Sequence, residues 1–231
     1  MKKYLTRHLK TQLIFAFILS IGLYLWPMKI TAKKTEIKSI AARQMSLEKR
    51  YNDSFVNGVF KDNILLTMAY LSGKISPNQA VNWTEINKPF TLELTLNPGQ
   101  VFAFHNDVLP QYKGQVKYTT NAHFNSMEGF KSDGYLVGDG VCHLASLINW
   151  VAQEAKLEVV SPTNHDFAVI PEVPKKYGTS IYNAVGQESA NALQNLYIKN
   201  NRSSAIKFVF NYDKENLKLS IVESKSLLSK R

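Results

Sequence analysis

The chain has one cysteine, Cys142, in 231 residues. That excludes an intramolecular disulfide and any zinc site built from several cysteines. Acidic residues are scarce near the start: positions 1–50 hold 11 Lys/Arg against 2 Asp/Glu, whereas positions 51–231 hold 17 against 16. The net charge of +10 therefore belongs to the N-terminus. The remainder is nearly neutral and lacks a dense basic stripe, which argues against a nucleic-acid partner. No internal repeat is visible, and no His/Cys spacing matches a metal site, so neither a metal nor a cofactor is expected. Hydrophobic residues at 45% and charged residues at 20% are ordinary globular proportions.

The first 30 residues, "MKKYLTRHLKTQLIFAFILSIGLYLWPMKI", open with Lys2, Lys3, Arg7 and Lys10. An uncharged, mostly apolar run follows from Leu13 to Met28, with Tyr24 and Trp26 near its outer end. Basic flank, apolar run and interfacial aromatics together predict a membrane segment over 1–32. Ala32 is the best cleavage position, but Ile30 is a poor fit for the small residue needed upstream, so an uncleaved anchor is favoured over a cleaved signal. The expectation is a single-pass cell-membrane protein with its C-terminal domain extracytoplasmic, or a secreted one if the segment is cleaved.

Residues 33–53 are polar and basic and read as a stalk, with weak helical spacing at Ile37, Ile40, Ala41 and Met45. A helical segment is expected over 54–89. Ser54 suits an N-cap, and Phe55, Val59, Phe60, Ile64, Met68 and Leu71 fall near one face. Gly73 suits the stop, and 76–83 opens with turn residues ahead of a short helix. From Phe90 the period changes to two. "FTLELTL" reads as a strand, "NPG" as a turn and "QVFAFHND" as the partner strand. Residues 110–140 are loop-rich. A helix begins near Val141 with an apolar stripe of Leu144, Leu147, Ile148, Val151, Ala152 and Ala155. Strands are expected at 157–160 and 167–170. A terminal hairpin, "AIKFVFNY" then "LKLSIVE", is extended by "NLYIKN" at 195–200, and a frayed tail follows at 225–231. The fold class is α+β over 90–224: a mostly antiparallel sheet with a central helix carrying Cys142 at its N-terminus, preceded by the membrane anchor and the helical segment.

Cys142 follows Gly138-Asp139-Gly140 and lies in the first turn of that helix. A helix N-terminus favours a thiolate through its dipole and its free N–H groups, which can also hold an oxyanion. The glycines permit a tight turn and close approach of a substrate. The alternative is a packed thiol, since cysteine is among the most buried residue types. His165 follows a helix, a strand and a turn. A 14-residue helix covers about 21 Å and four strand residues about 13 Å, so the turn "SPTNHD" must supply the rest of the return path. His143 adjoins Cys142, about 100° around the helix. His105 and His123 lie within reach of the same region. Candidates to orient a histidine are Asp139, Asn149 and Asn106, while Ser146 reads as a packing or locally hydrogen-bonded serine.

Four stretches, "NPGQVFAFHNDV" (97–108), "GYLVGDGVCHLASLINWVAQEAKLEVV" (134–160), "NHDFAV" (164–169) and "NLYIKNN" (195–201), resemble the VanW-like domain family. The family pattern has a Pro-Gly-x-x-Phe-Ser-Phe-Asn element, a Gly-Gly-Gly-hydrophobic-Cys-Gln element and a His-Ser element. This chain departs from it with Asp139 at the middle glycine, His143 at the glutamine, Ala103 and His105 in the first element, and Asp166 after His165. The resemblance implies a bacterial, envelope-associated protein of a kind that often accompanies peptidoglycan-binding modules. Two functions stand open. One is a Cys–His acyl-transfer or hydrolytic enzyme acting on cell-wall peptide, with Cys142 as nucleophile, His165 as base, His143 beside them and the N–H groups after Cys142 as oxyanion hole. The other is a non-catalytic envelope or peptidoglycan binding module with Cys142 buried.

Overall fold

The computed structural model describes residues 35–226. The expected membrane segment over 1–32 and the tail beyond 226 lie outside them. Two four-stranded sheets and two long helices share a core.

The first sheet has the order β1 (Thr35–Ser46), β8 (Asn216–Ser226), β7 (Ile206–Tyr212), β2 (Phe90–Leu96), all antiparallel. Alternation drives it: Ile206, Phe208, Phe210 and Tyr212 of β7 point inward while the residues between face outward. The expected β7–β8 hairpin is present. Asp213 closes its turn by accepting from the N–H groups of Glu215 and Asn216.

Residues 35–46, expected within a basic stalk, instead form β1. The weak helical spacing there gives way to pairing with β8, which offers a backbone partner along 11 residues. A bulge between Ser39 and Ala41 turns both Ile40 and Ala41 toward the core, so a strict two-residue period is absent from the sequence.

The second sheet has the order β4 (Val116–Tyr118), β3 (Val101–Ala103), β6 (Tyr197–Lys199), β5 (Glu158–Val160), with β3–β4 parallel and the other pairs antiparallel. Two expectations are corrected here. The stretch after "NPG" does not pair with β2, because β2 is taken up by β7 and β3 continues into the second sheet. "NLYIKN" does not extend the hairpin; it lies between β3 and β5. A third correction concerns 167–170, which is an irregular loop with Phe167 and Val169 exposed.

Helix α1 (Ser54–Leu71) and helix α3 (Val141–Glu154) pack against each other and between the sheets. Short helices α2 (Trp83–Ile86) and α4 (Glu188–Asn191) complete the order. Asp53, not Ser54, caps α1: its carboxylate accepts from the N–H groups of Phe55 and Val56. Val59, Ile64, Met68 and Leu71 are buried as their spacing predicts, whereas Phe55 is exposed. One cluster joins Ile64 and Met68 of α1, Leu144, Leu147 and Val151 of α3, Phe208 and Leu219 of the first sheet, and Phe102 and Ile198 of the second. The consequence for the site is simple. The N-terminus of α3 is held against α1 by the main core, while loops 131–140, 163–170 and 178–185 close over it.

Candidate functional site

Gly138 and Gly140 both adopt left-handed φ, +91° and +98°. Space reinforces the conformation. A Cβ on Gly140 would meet the Phe60 carbonyl oxygen at 2.8 Å, and one on Gly138 would meet that of Phe124 at 3.1 Å. Asn63 of α1, fully buried, ties the loop to the helix. Its Nδ2 donates to the carbonyls of Lys131 (2.9 Å) and Asp139 (2.8 Å), and its Oδ1 accepts from the Lys131 N–H (2.8 Å). Gly140 is the N-cap residue of α3 and supplies no side chain. The N–H groups of Cys142 and His143 in the first turn therefore have no intrahelical acceptor.

These groups open into a cavity of about 280 Å³. Cys142, His143, His165, Gly138, Asp139 and Gly140 all line it. The return path after α3 does bring His165 back. Gly178 lies so close to the His165 carbonyl that a Cβ there would be 2.5 Å from it, and Ser180 N–H donates to the Thr163 carbonyl at 3.0 Å.

The chemistry of each group is set by burial. Cys142 exchanges hydrogen bonds with the Ile181 backbone: its thiol donates to the carbonyl (3.7 Å), and the Ile181 N–H donates to sulfur (3.4 Å). Neither imidazole is among its partners. Burial pushes the thiol up to about 11, with the nearby Asp139 charge acting the same way. Desolvation outweighs the hydrogen bond that the Ile181 N–H gives the sulfur, which favours the thiol form at neutral pH. His143 is buried against Phe60, at 4.8 Å between ring centres, with the Tyr51 ring farther away. Its Nδ1 lies 2.9 Å from Arg50 Nη1. Arginine only donates, so Nδ1 is an acceptor and the imidazole proton is on Nε2. Desolvation first, then the Arg50 charge, holds His143 well below the usual histidine range. His165, 5% exposed, packs against Phe167 at 4.0 Å and edge-on to His143 at 6.1 Å. Its Nδ1 is buried with no hydrogen-bond partner, and desolvation lowers its pKa.

The expected orienting residues do other work. Asp139 accepts from the Asp133 N–H at 3.2 Å, and desolvation, then Asp133, raises its carboxyl to about 6. Asn149 donates to the Tyr177 carbonyl and to Thr179 Oγ1, both at 3.0 Å, which pins the 177–179 turn to α3. Asn106 is exposed and only accepts from Asn183, a cavity-wall residue. His105 is fully buried in a structural network with Gln194 and Asn195, which bond Nε2 and Nδ1. Ser146 bridges α3 to the Thr179 N–H, as a locally bonded serine should.

Two arrangements carry signals that sequence alone hides. His123 also lines the cavity, and buried Glu128 holds it twice: Oε1 lies 2.9 Å from Nδ1, and Oε2 accepts the backbone N–H at 2.7 Å. The second is the mouth. Leu136, Val137, Phe167, Val169 and Tyr182 line the cavity and are exposed, and exposed Tyr135 adjoins Leu136 in the chain. Tyr135 is 90% and Val169 87% exposed. Exposed apolar side chains are thus collected at one opening.

An α+β protein with a cavity at a helix N-terminus, polar groups on its floor and an apolar mouth, is the class that fold and site define. Residues 85–222, about three-fifths of the chain, match the model of the family described as VanW like protein, and the chain belongs to that family. Membership points to a cell-envelope-related protein. No curated protein and no solved structure matches the chain. Arg50, Tyr51, Phe60 and Asn63 precede the matched region yet build the back of the site.

Proposed function

We propose that this protein is an extracytoplasmic, membrane-anchored binding module of the cell envelope, and that the cavity at the α3 N-terminus takes a peptidoglycan component. The observation that carries this reading is the union of a polar floor and an exposed apolar mouth around a thiol that is not activated. Cys142 is then a structural thiol bonded to Ile181. The basic start and apolar run at 2–28 support the anchor and the orientation.

A second reading, a Cys–His hydrolase or acyl transferase on wall peptide, has one observation in its favour. His123, held by a buried carboxylate, lines the same cavity as Cys142 and His165. That is how a base is oriented in a triad. The high thiol pKa counts against it.

Photo-crosslinking tests the binding reading. Benzoylphenylalanine is placed at Val169 in the mouth and, as a control, at exposed Phe55. In living cells the 169 variant should give adducts with wall fragments and the 55 variant none. Adducts with lipid or with protein alone, or equal adducts from both positions, would remove the reading.

A further inference from the structure

The cavity floor holds hydrogen-bonding groups that the fold leaves unused. The N–H groups of Cys142 and His143 stand at the positive end of a 14-residue helix with no side-chain cap. His143 has its Nδ1 occupied by Arg50, so its Nε2–H is left as a donor, with a buried guanidinium behind it. His165, 95% buried, lines the same floor with an Nδ1 that has no partner. Arg50 itself makes no salt bridge among the described residues; its Nη2 donates to the Pro171 carbonyl and its Nε is buried without a partner. A floor of donors with the Arg50 guanidinium behind it, under an apolar mouth, has a definite complement.

We propose that the floor binds a carboxylate, and that the carbon chain beside that carboxylate carries an apolar group which lies against Leu136, Phe167 and Tyr182. This rests on the reading of the cavity as a binding site and names the group that it recognises. The helix N–H groups and the His143 Nε2–H take the carboxylate oxygens, as helix N-termini take anions. Asp139 is the opposing charge on the floor. Its carboxyl accepts from the Asp133 N–H and, although burial raises it to about 6, is largely ionised at pH 7, so this one side chain opposes the carboxylate that the floor's donors attract. Removing that charge by Asp139→Asn keeps an acceptor for Asp133 and should tighten a carboxylate ligand.

The probes are 3-phenylpropionate, N-acetylphenylalanine, 3-phenylpropanamide and 3-phenylpropylamine, titrated against the full chain in lipid nanodiscs by saturation-transfer NMR. Both carboxylates should bind, the amide about tenfold more weakly and the amine not at all. Asp139→Asn should tighten the carboxylates about fivefold, and His165→Phe should weaken them. N-acetylphenylalanine binding above 3-phenylpropionate assigns the group to a peptide C-terminus; the reverse order assigns it to a free acid. Equal binding of amine and carboxylates, weaker binding by Asp139→Asn, or no binding of any probe overturns the proposal. The crosslinking from Val169 decides the broader binding reading on its own, so the two can fail separately.

Discussion

Replacing Asn63 by leucine removes the tie between α1 and the loop that forms the cavity floor. Leucine keeps the volume and loses every hydrogen bond. Two carbonyls, Lys131 and Asp139, lose a donor, and the Lys131 N–H loses its acceptor. Stranding a buried polar group costs about 1–3 kcal/mol. Lys131 and Asp139 are only half-buried, so water reaches part of the gap and the lower end applies. The expected loss is therefore about 3 kcal/mol. At roughly 2–4 °C per kcal/mol for a domain of this size, the melting temperature should fall by about 6–12 °C. Guanidinium unfolding followed by circular dichroism measures the loss, and alkylation of Cys142 should accelerate as the loop loosens. A loss under about 1 kcal/mol would refute the reasoning, because it would mean that these bonds are replaced by water at no net cost.

Cys142 should react with iodoacetamide at pH 7 roughly a hundredfold more slowly than an ordinary thiol, since its pKa near 11 leaves little thiolate; a rate at or above that of free cysteine would contradict the burial argument. The stability linked to this thiol is fully present below its ordinary pKa and declines as pH rises toward 11. His143→Phe should cost about 3 kcal/mol by stranding the Arg50 guanidinium, and the double variant with Arg50→Met should cost less than the single; additive losses in a double-mutant cycle would deny the coupling. Gly140→Ala should lose about 2–3 kcal/mol, from left-handed strain plus the clash with Phe60, whereas Gly134→Ala, at φ +115° in open space, should lose only about 1 kcal/mol; equal losses would show that packing against α1 is irrelevant. His105, His143 and His165 all have lowered pKa values, so their contribution is full above the ordinary histidine pKa of about 6.5 and is lost as pH falls below it, where the unfolded chain takes up protons that the folded one refuses. Asp139, raised to about 6, acts in the opposite sense, so replacing it by asparagine should steepen the loss of stability from pH 7 to 5; an unchanged pH dependence in Asp139→Asn would contradict the account.

Local patterns with a single cause were legible in the sequence. The Gly-Asp-Gly lead-in and the apolar stripe from Leu144 to Ala152 define α3 and put Cys142 in its first turn, because left-handed glycines and helical periodicity act within a few residues. The β7–β8 hairpin follows from strict alternation around an Asp-containing turn. Non-local facts were not legible. β1 is polar on its outer side and bulged, so only its partner β8 makes it a strand. "FAVI" has a strand-like composition, but Phe167, Ala168 and Val169 line the cavity while Ile170 is buried, and the stretch pairs with no strand. The Arg50–His143 contact depends on a chain crossing, and the His123–Glu128 contact on how one irregular loop folds on itself. The second left a faint trace as a histidine five residues before a glutamate in the long loop. The return path of His165 toward Cys142 was possible on helix and strand lengths but not forced by them, and the two line one cavity; the state of the thiol was not legible, because it depends on burial against Ile181.

The most direct test of the central claim is co-sedimentation of the full chain with isolated peptidoglycan sacculi. Wild type and Cys142→Ala should bind alike, while the double variant Phe167→Ser/Val169→Ser at the mouth should bind at least about tenfold more weakly. Absence of wild-type binding, or loss of binding in Cys142→Ala with the mouth variant unaffected, would contradict the account.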